Sequence, residues 1–248
     1  MNTRVLCSKQ RFSPQYHISE VSASIVQQAM QQLFEQWGLP THIRVDNGKP
    51  FGDPQRCSIP ELALWLIGLG IEVIWNRPRM PKDNARVERM QATTSRWAEV
   101  EQCYDCGELQ TRLNKAAQVQ RERYQVRRLG AKSRKELYPE LWSNSRTYSK
   151  DAFDVSRIGY YLSQTTFKRK VNKKGVLNFY AQRVYVGCSH LSKVLCLRYD
   201  AEKEYFVLTD ESNTAIGYLQ ADNFSREHIL NFNVCQDRYI KCQTMVSH

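Results

Sequence analysis

The chain has 248 residues, enough for one large or two modest domains, with 42% apolar residues and a mean hydropathy of −0.59. It contains no run of about 18 apolar residues, which excludes a membrane-spanning helix, and Met1-Asn2-Thr3-Arg4-Val5-Leu6 does not open a secretory signal. A formal charge of +11 and a pI near 9.3 point to a polyanionic partner, most often nucleic acid.

In chain order, residues 4–19 read as extended, with a break at Ser13-Pro14. Ser22 or Ser24 can cap a helix to about Trp37, since Val26, Met30, Leu33 and Trp37 recur at helical spacing. Gly38-Leu39-Pro40 ends it, because Pro cannot continue a helix. Ile43-Arg44-Val45 is then a short strand that delivers Asp46 at its carboxyl end, where ligand-handling residues of open α/β sheets lie. Pro60 to Leu69 reads as an apolar helix stopped by Gly70, and Ile71 to Trp75 as a strand. Asn76 to Pro81 is a loop stiffened by Pro78 and Pro81. Asn84 opens a long helix, with Val87, Met90, Thr94 and Trp97 on its packing face and Asn84, Glu88, Gln91 and Ser95 in a polar stripe.

Residues 108–128 read as continued helix that turns strongly basic: nine Lys or Arg fall between 112 and 135, against the single acid Glu122. Such a row can track a phosphate backbone, each contact adding to a salt-dependent affinity. After about residue 146 short β-rich runs alternate with turns: 168–171, 176–180, 183–186, 193–199, 205–209 and 215–219. Strands this short and closely spaced suit a small barrel. Lys168, Arg169, Lys170, Lys173 and Lys174 would set five cations on its first hairpin, and Tyr180, Tyr185 and Tyr205 read more readily as its core than as base-stacking platforms. Residues 226–248 read as an uncommitted tail. The eight cysteines read as reduced thiols. Cys103-Tyr104-Asp105-Cys106 is a lone CxxC without the second pair that a zinc site needs, and the five histidines are isolated.

Gly38-Leu39-Pro40, Ile43-Arg44-Val45-Asp46-Asn47-Gly48 and Pro50-Phe51, in that order, resemble a segment of bacterial insertion-sequence transposases. Leu69-Gly70-Ile71 is similar to that family's strand before the active-site loop. Arg77-Pro78, Pro81, Asn84 and Val87-Glu88-Arg89 are similar to the loop and helix that carry its last acid. Tyr124, Arg127, Arg128-Leu129 and Glu136-Leu137-Tyr138-Pro139 are similar to the segment after the core. Over about residues 15–140 the chain thus resembles the DDE-type transposases and integrases of the retroviral-integrase superfamily.

The resemblance implies a particular α/β fold: a ribonuclease-H-like core, a mixed five-stranded sheet with flanking helices, followed by a small all-β SH3-like barrel. The expected division is 1–105 partial catalytic core, 106–146 basic helical connector, 147–225 barrel and 226–248 tail. The resemblance also implies a two-metal Mg²⁺ or Mn²⁺ site, DNA 3′-end cleavage and strand transfer, with Asp46 and Glu88 as catalytic acids and metal ligands. Asn84 would contact DNA or orient Glu88, its alternative being a helix N-cap. Arg89, Arg121, Arg127, Arg128 and Lys132, with the five barrel cations, are the expected DNA contacts. Partners would be element-end and target DNA, a second copy or an intact transposase, and no membrane, in a bacterial, nucleoid-associated cytoplasmic setting.

Two departures bear on these expectations. Asn84-Ala85 stands where the family often has Asn-Gly. The first acid of the triad should precede residue 46, yet residues 1–45 hold no Asp and only Glu20 and Glu35 as acids. The expectation is of a chain that starts after its first catalytic strand and is impaired in strand transfer. The alternative is a non-catalytic DNA-binding or dimerising remnant that modulates an intact transposase.

Overall fold

A computed structural model describes residues 22–52, 58–125, 127, 130–143 and 146–244. The extended segment expected over 4–19 lies outside them. The architecture is mixed α/β with several sheets and flanking helices. Helix α1 (Ala23–Trp37) starts behind Ser22, whose hydroxyl accepts the Ile25 N–H at 3.3 Å. Its apolar stripe buries Val26, Met30 and Phe34. The chain groups into two compact units. One comprises residues 28–40 and 76–148, and the other residues 22–27, 41–75 and 149 onward.

In the first unit, α3 (Ala85–Ala98) and α4 (Cys106–Glu122) pack together, and the Gln120 amide donates to Thr94 Oγ1 at 2.8 Å. The helical run expected from Asn84 to residue 128 is thus two helices. Glu99, in the left-handed region at φ 50°, closes α3, and Asp105 opens α4 by accepting the Glu108 N–H at 2.7 Å. Helix α4 ends at Glu122, earlier than expected. A short α5 (Arg134–Leu137) begins at a capping box in which Ser133 and Glu136 satisfy each other's backbone N–H.

The second unit opens with β1 (His42–Val45), α2 (Glu61–Gly68) and β2 (Glu72–Trp75). The two strands are parallel, with Ile43 opposite Val73 and Val45 opposite Trp75, so the helix serves as their crossover connection. Helix α2 is apolar all round, and every residue from Leu62 to Gly68 is buried, as a helix without a polar face must be. Two further helices, α6 (Val155–Ser163) and α7 (Arg226–Leu230), pack against it. Gly68 is where the chain comes closest. A Cβ there would run into the Phe153 ring, while its carbonyl accepts the Asp154 N–H at 2.9 Å and Arg157 at 3.0 Å. Gly68→Ala is expected to cost about 1–3 kcal/mol through overpacking, read as a lower urea midpoint at unchanged slope. An unchanged midpoint would show that Phe153 gives way freely.

The remaining strands are β3 (Thr166–Lys170), β4 (Val176–Phe179), β5 (Gln182–Tyr185), β6 (Val194–Asp200), β7 (Tyr205–Thr209), β8 (Ala215–Gln220) and β9 (Arg238–Lys241). They form an antiparallel sheet in the order β3-β6-β7-β8 and a three-stranded sheet β4-β5-β9. The expected first hairpin is therefore a corner. β3 pairs with β6 and β4 with β5, and the turn at 172–175 carries the chain from one sheet to the other. Residues 226–244 are not an uncommitted tail, because α7 packs on α2 and β9 runs parallel to β5. The core between the strands is aromatic. Phe179 lies with its ring centroid 4.8 Å from Tyr180, 4.8 Å from Phe206 and 5.3 Å from Phe167, at the tilted and edge-on angles that ring quadrupoles favour. Among the described residues, no helix is long and apolar enough to cross a membrane.

Candidate functional site

Asp46 directly follows β1 and is half-buried. Its Oδ1 accepts the Gly48 N–H at 3.1 Å, a turn that Asp forms with its own backbone two residues on. The loop then folds tightly: Gly48 O accepts from Phe51 and Gly52, and the Trp75 indole at the end of β2 donates to Phe51 O at 3.0 Å. The adjacent ends of two parallel strands thus fix the segment that carries Asp46.

Glu88 belongs to the other unit, exposed in the first turn of α3, where the helix dipole favours a negative charge. Two side-chain bridges fix the loop ahead of it. Asn76 donates to Asn84 Oδ1 at 2.7 Å, and Arg77 grips Asp83 through its backbone N–H at 3.1 Å, Nε at 3.2 Å and Nη2 at 2.8 Å. The Asp83 hydrogen bond is the main reason the Arg77 pKa is raised further above its ordinary value. Asn84 does stand at the N-cap position of α3, but its side chain accepts from Asn76 rather than capping a helix N–H. Its carboxamide therefore pins the loop and does not cap the helix.

The carboxylates are hard oxygen donors of the kind Mg²⁺ and Mn²⁺ take. Among the described residues, no three His, Cys, Asp or Glu side chains converge as a metal-binding group.

The expected DNA contacts divide by their surroundings. Arg89, Arg127 and Lys132 are exposed, and Arg128 lies outside the described residues. Arg121 is half-buried, with its guanidinium 5.0 Å above the Trp37 ring, and its Nε is buried without a hydrogen-bond partner among the described residues. That burial lowers its pKa. Elsewhere in the basic run, Arg112 is paired with Glu108 at 2.8 Å and Glu99 at 2.9 Å, and Arg134 donates to Gln120 O at 2.7 Å. The cations therefore do not form one solvated row. Among the described residues, Lys115, Arg123, Arg127, Lys132 and Lys135 are its exposed members.

In the second unit the strand alternation separates neighbours. Lys168 and Lys170 project from the outer face of β3 and are exposed. Arg169 takes the inner parity: its guanidinium lies over Phe179 at 5.3 Å and over Phe167 at 6.0 Å, and its Nε donates to Asn178 O at 3.0 Å. Lys173 and Lys174 are exposed on the corner turn. Of the tyrosines read as core, Tyr180 is buried, whereas Tyr185 is partly exposed and Tyr205 sits on the outer face of its sheet. Tyr205 meets Tyr218 there, with ring centroids 4.9 Å apart. Arg198, also outward, donates from Nε to Thr166 Oγ1 at 3.1 Å. Tyr218 and Arg198 did not stand out in the sequence; period-two alternation along β6 and β8 is the signal that finds them. No protein-family model matches the chain.

Proposed function

We propose that this chain handles DNA as a DDE-type transposase or integrase does, impaired in strand transfer because residues 1–45 hold no Asp for the first catalytic acid. In this reading β1, β2 and the helices belong to a ribonuclease-H-like core, and β3–β9 form an SH3-like barrel. What carries the reading is the ordered series of motifs from Gly38 to Pro139, with Asp46 at the carboxyl end of a parallel strand and Glu88 exposed on the helix after a pinned loop. Asp46 and Glu88 would hold Mg²⁺ or Mn²⁺, and a bound ion would supply activation of an attacking oxygen and stabilisation of a leaving one in phosphoryl transfer. The chain's own residues shape that chemistry. Trp75 and Gly48 fix the Asp46 loop, while Asn76 and Asp83 fix the approach to Glu88. The exposed cations of both units hold the phosphate backbone.

Manganese binding tests this reading. Asp46→Asn and Glu88→Gln should each weaken Mn²⁺ affinity at least about tenfold, the lower end of what even outer-shell changes cost a metal site. Unchanged affinity in both variants, with DNA binding intact, would remove the metal site and leave a non-catalytic DNA-binding chain in its place.

A further inference from the structure

We propose that the outer face of the β3-β6-β7-β8 sheet binds single-stranded DNA, with phosphates along β3 and β6 and unpaired bases on the Tyr205–Tyr218 pair. The inference rests on the reading above for DNA as the polyanion, and adds which form of DNA this face takes.

The register lays the face out in rows. Thr166, Arg198, Val207 and Tyr218 stand side by side across all four strands, with Lys168 beside Cys196 and Lys170 beside Val194 in the rows toward the other end of β3. Lys168, Lys170 and Arg198 are exposed, so one side of the face carries three cations on adjacent strands. Arg198 is held in place by its hydrogen bond to Thr166. On the other side, Tyr205 and Tyr218 occupy diagonal positions on β7 and β8, partly exposed, with ring planes 34° apart. Val207 fills the space beside them on the same face. The acids nearby gather at the β6–β7 turn, where Asp200 pairs with Lys203 at 3.9 Å and Glu202 and Glu204 are exposed. Asp200 stands opposite Tyr205 in the register and the Lys203 ammonium lies 5.8 Å from the Tyr205 ring centroid, so the aromatic half carries one acid and one cation of its own, apart from Lys168, Lys170 and Arg198.

This polarity suits one strand and not two. Strands lie about 5 Å apart, so the step from the Arg198 row to the tyrosines on β7 and β8 is about 5–10 Å, the reach of a nucleotide from phosphate to base plane. A duplex hides its base faces within the stack and could use only the cations. A single strand can use both halves, stacking every base type on the tyrosines without reading sequence.

The experiment is fluorescence anisotropy of the full chain with labelled oligo(dT), oligo(rU) and a duplex, using Tyr205→Ala, Tyr218→Ala and the Tyr→Phe variant at each position. Each Ala variant should weaken oligo(dT) binding about tenfold, as loss of a stacking ring does, and change duplex binding less than twofold. The Phe variants keep the ring and should bind as the parent does, which separates stacking from a folding defect. Ala variants that bind oligo(dT) unchanged, or that lose duplex and oligo(dT) equally, would overturn the proposal. Binding of oligo(rU) about tenfold tighter than oligo(dT) would also overturn it, by assigning the face to RNA. If duplex binding persists while the tyrosines prove irrelevant, only this inference fails; if no DNA is bound at low salt, the functional reading fails with it.

Discussion

Tyr180→Phe is expected to lower the unfolding free energy by about 2–4 kcal/mol, a large effect for the loss of one oxygen. Tyr180 and Ala181 form the two-residue turn between β4 and β5, both at positive φ, 47° and 60°. Such turns suit hairpin twist but usually take Asn or Gly, because a bulky side chain is strained there. The phenol offsets that strain: its hydroxyl accepts the Ile59 N–H at 3.0 Å and donates to Ile59 O at 3.1 Å, at a buried residue just ahead of α2. Phe keeps the ring in the aromatic core but leaves an N–H and a carbonyl buried without partners. Equilibrium urea unfolding measures the difference, and a loss below about 0.5 kcal/mol, half of an ordinary hydrogen bond, would mean that water replaces the hydroxyl. The pH response provides a second readout. Burial raises the Tyr180 pKa above its ordinary 10, so its protonated form contributes fully below that pH. That contribution is lost as pH rises through the unfolded and then the folded value. Cys242, raised to about 11 by burial, acts in the same direction from about pH 9 upward. Tyr180→Phe should therefore retain the cysteine part of the alkaline decline and lose the tyrosine part.

DNA affinity should fall steeply with salt. Lys168, Lys170, Lys173, Lys174 and Arg198 are exposed in the second unit. If each neutralises one phosphate of a duplex, these five alone contribute about −4.5 to the slope of log affinity against log salt, and a fourfold rise in salt weakens binding by at least roughly 500-fold. A salt titration by anisotropy gives the slope directly. Lys168→Ala and Lys170→Ala should each make it shallower by about one. Arg169→Ala should leave it unchanged and lower stability instead, because that guanidinium covers Phe179 and bonds Asn178 O. A slope near zero, or one that responds to Arg169 and ignores its neighbours, would refute this assignment of the cations.

The contrast between Arg169 and its neighbours marks what could be read from the chain. Composition and order place the elements well where local signals are strong. The alternation in 205–209, the apolar run 61–68 and the breaker Gly38-Leu39-Pro40 each lie where the structure has a strand, a helix and a helix end. Asp46 at a strand terminus was legible for the same reason. Face assignment was harder, because five cations near one another in sequence look alike until a partner strand fixes which side is core. Helix α6 was missed although Ile158 and Leu162 are spaced for one face, since Gly159 in the middle argues against a helix. The capping box at Ser133 and Glu136 is a local signal that announces α5 plainly. Strand β9 has no such signal: Arg238-Tyr239-Ile240-Lys241 is short and mostly exposed, and only its pairing with β5 makes it a strand. The loop pins at Asn76–Asn84 and Arg77–Asp83 depend on side-chain geometry that spacing alone does not specify.

The segment from Arg238 to Gln243 stitches two seams. It pairs with β5 along one side, and two residues later Gln243 exchanges both backbone hydrogen bonds with Tyr218 on β8, at 2.8 and 3.0 Å. Gly217 permits that approach, since a Cβ there would strike Gln243 O. A bare sheet edge offers unpaired N–H and C=O groups to any extended peptide, so this short segment acts as a guard against self-templated assembly. Shortening the chain to end at Asp237 would expose edges of both sheets at once, turning the folded chain into a nucleus for aggregation long before its aromatic core is touched.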